Sequence, residues 1–146
     1  YGKIIDTDEN CPTLTYNTIA CHQSRIVNVR IASNKSPWLR FTQVGDVYAA
    51  PVSHGEGKFL CPEDLVKELA KNGQIATQYV DLDGKVTSDI KFNPNDSVYA
   101  IEGITSPDGR VFGKMAHAER VGEGLYRNVP GNYFIKMFES AVQYFK

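Results

Sequence analysis

The chain has no apolar run approaching the roughly 20 residues that span a bilayer, and its first residues form neither a basic head nor an apolar signal core. A cytoplasmic protein is expected. Neither sign of charge dominates, because 16 basic residues stand against 17 acidic ones for a net charge of -1. Nucleic acids and anionic membranes are usually met by concentrated positive charge, so neither is expected as a partner. Cysteine is sparse: Cys11, Cys21 and Cys61 form an odd set without CxxC spacing, which argues against a disulfide framework and a structural zinc site. Internal repeats, low-complexity segments and linkers are also missing.

What remains is the composition of a soluble globular unit, with 42% hydrophobic and 23% charged residues in 146. One domain over residues 1–146 is expected. Residues 26–32 alternate apolar Ile26, Val27, Val29 and Ile31 with Asn28 and Arg30, as a half-buried strand does. Residues 47–52 read as a short buried strand, with His54 and Glu56 on the Gly-punctuated loop that follows. Residues 62–72 carry Leu65, Val66, Leu69 and Ala70 at helical spacing, opened by Pro62 and stopped by Gly73. Residues 74–80, 97–104 and 110–116 read as further strands, with turns at Asp83-Gly84, at 93–96 and at Ser106-Pro107-Asp108-Gly109. Residues 133–145 form one helix by their spacing, with Phe134, Met137, Phe138, Ala141, Val142 and Phe145 as a core-packing stripe.

The third of these late strands delivers His117, two residues before Glu119. In extended chain such residues lie on one side about 6.6 Å apart, so the carboxylate can reach the imidazole. It would fix the tautomer and leave the other ring nitrogen to take a proton from a nucleophile. Alone, the His-x-Glu pattern is far more often a surface or packing feature, since two-residue patterns are common by chance. Gly55-Glu56-Gly57-Lys58 lacks the GxxxxGK[ST] spacing of a phosphate loop, so no cofactor is expected on this chain.

Context makes the pattern specific. The run from Ile101 through Gly103, Ser106-Pro107-Asp108-Gly109 and Gly113-Lys114-Met115 to His117 and Glu119-Arg120 resembles the end of the glutaminase domain of phosphoribosylformylglycinamidine synthases. Pro51-Val52-Ser53-His54-Gly55-Glu56-Gly57-Lys58-Phe59 and Asn93-Pro94-Asn95 match two further motifs of that family in the same order. The likeness covers nearly the whole chain and is weakest before about Arg25. Three departures are Ala118 between the triad members, Lys58 where arginine is usual, and Asp96 where glycine is usual.

The resemblance implies an α/β fold, a three-layer open sheet of the class I glutamine amidotransferase type, present here as an incomplete, C-terminal portion. It implies His117 and Glu119 as two members of a Cys-His-Glu triad. His54, on its Gly-flanked loop, either contacts bound glutamine or closes the loop by hydrogen bonds; it is taken as lining the glutamine site, with Glu56 as a second candidate. The nucleophilic cysteine of the family sits on a Gly-x-Cys-x-Gly elbow upstream of the position of Tyr1, and none of Cys11, Cys21 or Cys61 has such surroundings. The chain alone is therefore expected to lack glutaminase activity. The implied partners are glutamine and the remainder of the synthase, including the missing half of the glutaminase domain. ATP and magnesium belong by the same resemblance to the synthase part. The rival reading is a non-catalytic assembly fragment whose cut parallel sheet seeks a partner or a second copy. A weaker one is a self-sufficient hydrolase pairing Cys21 or Cys61 with His117. Arg25 stays open between an ion pair and a functional role, and His22 is read as a surface residue.

Overall fold

The structure, a computed structural model, describes residues 10–146. The main sheet has five strands in the order β3-β2-β5-β6-β7: β2 (Gln23–Ile31), β3 (Val47–His54), β5 (Ile75–Val80), β6 (Ile101–Thr105) and β7 (Phe112–Lys114). A separate pair joins β1 (Thr13–Thr15) to β4 (Lys58–Leu60). Every pairing among the described strands is antiparallel, which corrects the expectation of a cut parallel sheet. Hairpin-length links such as 106–111 permit only this arrangement, since a parallel pair needs a crossover of a dozen or more residues.

The alternation in β2 buries Val27, Val29 and Ile31, while β3 is buried continuously from Tyr48 to Val52. Pro51, which has no N–H to give, is tolerated because β3 is an edge strand. Helix α1 (Glu63–Asn72) turns Val66 and Leu69 inward and stops at Gly73, whose φ of 70° is left-handed. Burying these two side chains is worth about 1.5–3 kcal/mol each.

Neighbouring residues of β5 serve different cores. Ala76 packs with Val27, Val29 and Tyr48 and with Met137 of α2 (Met137–Phe145), whereas Ile75 packs with Phe59, Ile101 and Val66 of α1. Because successive strand residues face opposite ways, the two helices cover opposite faces of the sheet.

The turns at 83–84, 93–96 and 106–109 form where expected, closed by the Gly84 amide on Asp81 O, the Asp96 amide on Asn93 O and the Gly109 amide on Ser106 O. Several extents differ. Strand β2 begins at Gln23 rather than Ile26, and β3 runs on through His54, which therefore stands at a strand end and not in the expected loop. The strand expected over 97–104 opens with a 3-10 turn, Val98–Ala100, in which Tyr99 and Ala100 take positive φ. The pairing of β7 ends at Lys114. Helix α2 begins only at Met137, because Lys136 before it is left-handed at φ 53°. The expected stripe is thus mostly not core: Met137 and Ala141 are buried, but Phe134, Phe138, Val142 and Phe145 are each at least 49% exposed.

Candidate active site

Strand β3 ends on His54, and its free edge receives the segment that follows β7. There the amide of His117 donates to the carbonyl of Pro51 at 2.8 Å. Ala116 and Ala118 are both buried and peg the backbone on either side of the half-exposed imidazole. The Arg120 amide returns to His117 O at 3.2 Å, so residues 117–120 form a turn rather than the expected strand end. The turn nevertheless brings the side chains together, with Nδ1 of His117 at 2.6 Å from Oε1 of Glu119.

The electrostatics agree with this pairing. Partial desolvation pushes the Glu119 carboxyl up, but its own amide, the His117 contact and the nearby charges of His117 and Arg120 together hold it below the usual carboxylate range. The Arg120 guanidinium stands 3.8 Å from the same oxygen. An ionised Glu119 requires a proton on Nδ1 of His117, which leaves Nε2 with its lone pair in the neutral ring. That nitrogen is buried and has no hydrogen-bond partner among the described residues.

His54 reaches the same place from the other side of the sheet edge. Its ring stacks on that of His117, and its Nε2 lies 2.5 Å from Met115 O, to which it donates. Burial lowers the proton affinity of His54, and the charges of His117, Arg120 and His22 lower it further against the favourable Met115 bond. His54 is thus biased toward the neutral form.

Glu56 is exposed and forms no hydrogen bond or ion pair with another described residue. Arg25 makes no ion pair among the described residues; it donates to Gln23 Oε1 and to Lys91 O. His22 lies at the surface against Ser53 Oγ. Cys61 packs on the Phe59 cluster, where burial raises its thiol, the opposite of activation.

Two residues that the sequence reading passed over hold the site. The carboxamide of buried Asn17 donates to His54 O at 2.7 Å and to Cys21 O, and accepts from the Gly57 amide and from Asn95 Nδ2. This joins the His54 loop to the Asn93-Pro94-Asn95 turn, where Tyr79 OH also donates to Asn95 Oδ1. Lys58 and Thr18 close the same junction on Asp96, which sits at φ 58° in the place of the family's glycine. The other is Glu102, fully buried beneath Met115 and Ala116. Among the described residues no group of His, Cys, Asp and Glu could hold a metal ion.

The family model of the CobB/CobQ-like glutamine amidotransferase domain matches residues 1–145. The chain belongs to that amidotransferase family. Among curated relatives, this amidotransferase chain is 35% identical over 132 residues to phosphoribosylformylglycinamidine synthase subunit PurQ of Methanosarcina barkeri, covering 90% of the chain and 53% of that protein. It is 38% identical over 105 residues to the subunit of the same name from Synechocystis, covering 72% and 46%. The solved structure of PurLQS from Thermotoga maritima matches with a TM-score of 0.67 at 26% identity, over 91% of the chain and 52% of its counterpart. The amidotransferase chain thus spans about half the length of the curated relatives it matches. The expected resemblance and fold class, α/β of the class I glutamine amidotransferase type, are borne out.

Proposed function

We propose that residues 1–146 are one domain portion that supplies the base and orienting acid of a glutaminase site in a phosphoribosylformylglycinamidine synthase. The observation that carries this is the His117–Glu119 contact at 2.6 Å together with an Nε2 that is buried and unpartnered among the described residues. Nε2 takes the proton of a cysteine thiol supplied by a preceding segment of the domain. The thiolate attacks the carboxamide carbon of glutamine, and the imidazolium returns the proton to the departing ammonia. His117 then activates the water that hydrolyses the thioester to glutamate. Glu119 holds the Nδ1 proton throughout, and His54 and Glu56 contact glutamine.

On this reading the ammonia passes to a synthase partner, where ATP and magnesium drive amidination of formylglycinamide ribonucleotide in the cytoplasm. No helix among the described residues is long and apolar enough to cross a membrane. The test is glutamate release by the complete protein carrying these residues. His117→Ala should lower turnover by a factor of about 10³ or more, and full activity in that variant would sink the reading.

A second reading, an assembly surface without catalysis, draws on the exposed apolar face of α2. It predicts no loss of any function on His117→Ala, so the same variant separates the two. Pairing of Cys21 or Cys61 with His117 is disfavoured by the absence of any thiol bonded to Nε2.

A further inference from the structure

We infer that Glu102 and Lys114 are positioning residues for His117, acting through the peptide units just before it. The inference rests on the reading of His117 as the base. Pairing of β7 with β6 ends at Lys114 opposite Gly103, and past it one main-chain bond to β6 remains, from the Met115 amide to Glu102 O at 3.1 Å. Side chains supply the rest of the hold on β6. The Glu102 carboxylate accepts from the amides of Met115 at 3.0 Å and Ala116 at 2.6 Å, and from Thr77 Oγ1 at 2.5 Å. Lys114 Nζ stands 3.2 Å from the same carboxylate and donates to the carbonyl of Ala116. One ion pair therefore holds both the N–H and the C=O of the residue preceding His117. The His117 amide is held in turn by Pro51 O.

The pair is deeply set, with side-chain exposures of 0% for Glu102 and 10% for Lys114, and the ammonium lies 5.7 Å from the Tyr48 ring centroid. Buried ion pairs rarely stabilise more than apolar side chains of the same shape, because desolvation offsets their attraction. What they provide that apolar contacts cannot is directional, charge-assisted bonding to a chosen peptide. Here that peptide sets the root of the imidazole, and the Met115 carbonyl beside it receives His54. A displacement of about 1 Å at such a base costs roughly 100-fold in rate.

The test is nitrogen-15 NMR of the imidazoles in the chain, which has only three histidines, with the double variant Glu102→Gln and Lys114→Met. This removes both charges together and leaves neither buried alone. The neutral His117 ring should be Nδ1-protonated in the native chain and shift several-fold toward the Nε2-protonated form in the variant, while exposed His22 stays unchanged. In the complete protein, kcat for glutamine hydrolysis should fall about 100-fold with KM within about threefold, and Lys114→Arg should retain most of the rate. Unchanged His117 nitrogens in a folded double variant would overturn the inference. If the double variant does not fold, Glu102→Gln alone, which keeps an acceptor and the side-chain volume, is read by the same criteria. Turnover that survives His117→Ala sinks the reading of the base; dependence on His117 with unmoved nitrogens sinks only the positioning role.

Discussion

The imidazole of His54 lies flat on that of His117, with ring centroids 4.8 Å apart and planes 10° from parallel. Two rings so placed cannot both be positively charged imidazolium without mutual repulsion, and burial has already biased His54 toward the neutral form.

This bias makes stability depend on pH. The folded His54 has a lowered proton affinity, so below the ordinary histidine value of about 6.5 the unfolded chain binds the extra proton and the folded one resists it. Stability is complete above that pH and falls as pH drops toward the folded value. Thermal melts between about pH 5 and 8 should show this slope, and His54→Gln should flatten it. A slope of the same size in that variant would assign it to other groups.

Glu119 acts in a separate window. Its folded carboxyl titrates below the usual range, so its contribution is present above about pH 4.3 and is lost as pH falls through the folded value. Glu119→Gln should leave the histidine-range slope in place and reduce the acid one. Because Glu119 is largely exposed, the effect is expected to be small.

Gly57 is required by close approach. A Cβ there would stand 2.3 Å from Asn95 Nδ2 and 2.9 Å from Met115 Cε, whereas Gly55 has nothing within 4 Å. Gly57→Ala should destabilise by about 1–3 kcal/mol, and Gly55→Ala by no more than about 0.5. Urea unfolding of the two variants checks the difference, and equal costs would remove the Asn17–Asn95 junction as the cause.

Asn17→Ala would orphan His54 O, the Gly57 amide and Asn95 Nδ2 at once. A loss of about 1–3 kcal/mol is expected for a buried group left unsatisfied, along with a changed environment of the His54 ring. Denaturant midpoints together with the His54 proton shifts test both parts. An unperturbed His54 would show that its carbonyl needs no such anchor.

Phe134, Phe138, Val142 and Phe145 leave an apolar face on and beside α2. Light scattering of the chain should report association, and Phe138→Lys with Val142→Glu should reduce it. A monomeric native chain at high concentration would contradict this.

Local signals made much of the fold legible. Pro62 and Gly73 bracket α1, the glycines at 84 and 109 take the positive φ their turns need, and the alternation of Val27, Val29 and Ile31 survives intact. What stayed hidden was long-range. Nothing near Thr13 or Lys58 announces that β1 pairs with β4, and the stack of His54 on His117 joins two motifs that only the fold brings together. The His117–Glu119 contact was legible, but for a different reason: a turn makes it, not an extended strand. Asn17 carries no signal at all, being a polar residue in a loop. Glu102 did carry one, since a charge inside Ile101-Glu102-Gly103-Ile104 interrupts an apolar run, and Lys114 falls opposite Gly103 once the hairpin turn is placed. The stripe at 134–145 misled because periodicity reports amphipathicity and not what covers it.

The central claim is that His117 and Glu119 serve a nucleophile that this chain does not provide. Glutamate release from glutamine by the purified chain tests it most directly, with His117→Ala as the comparison. The account predicts no turnover above the His117→Ala background. Turnover by the native chain that His117→Ala abolishes would contradict it, because one of Cys11, Cys21 or Cys61 would then have to complete the triad.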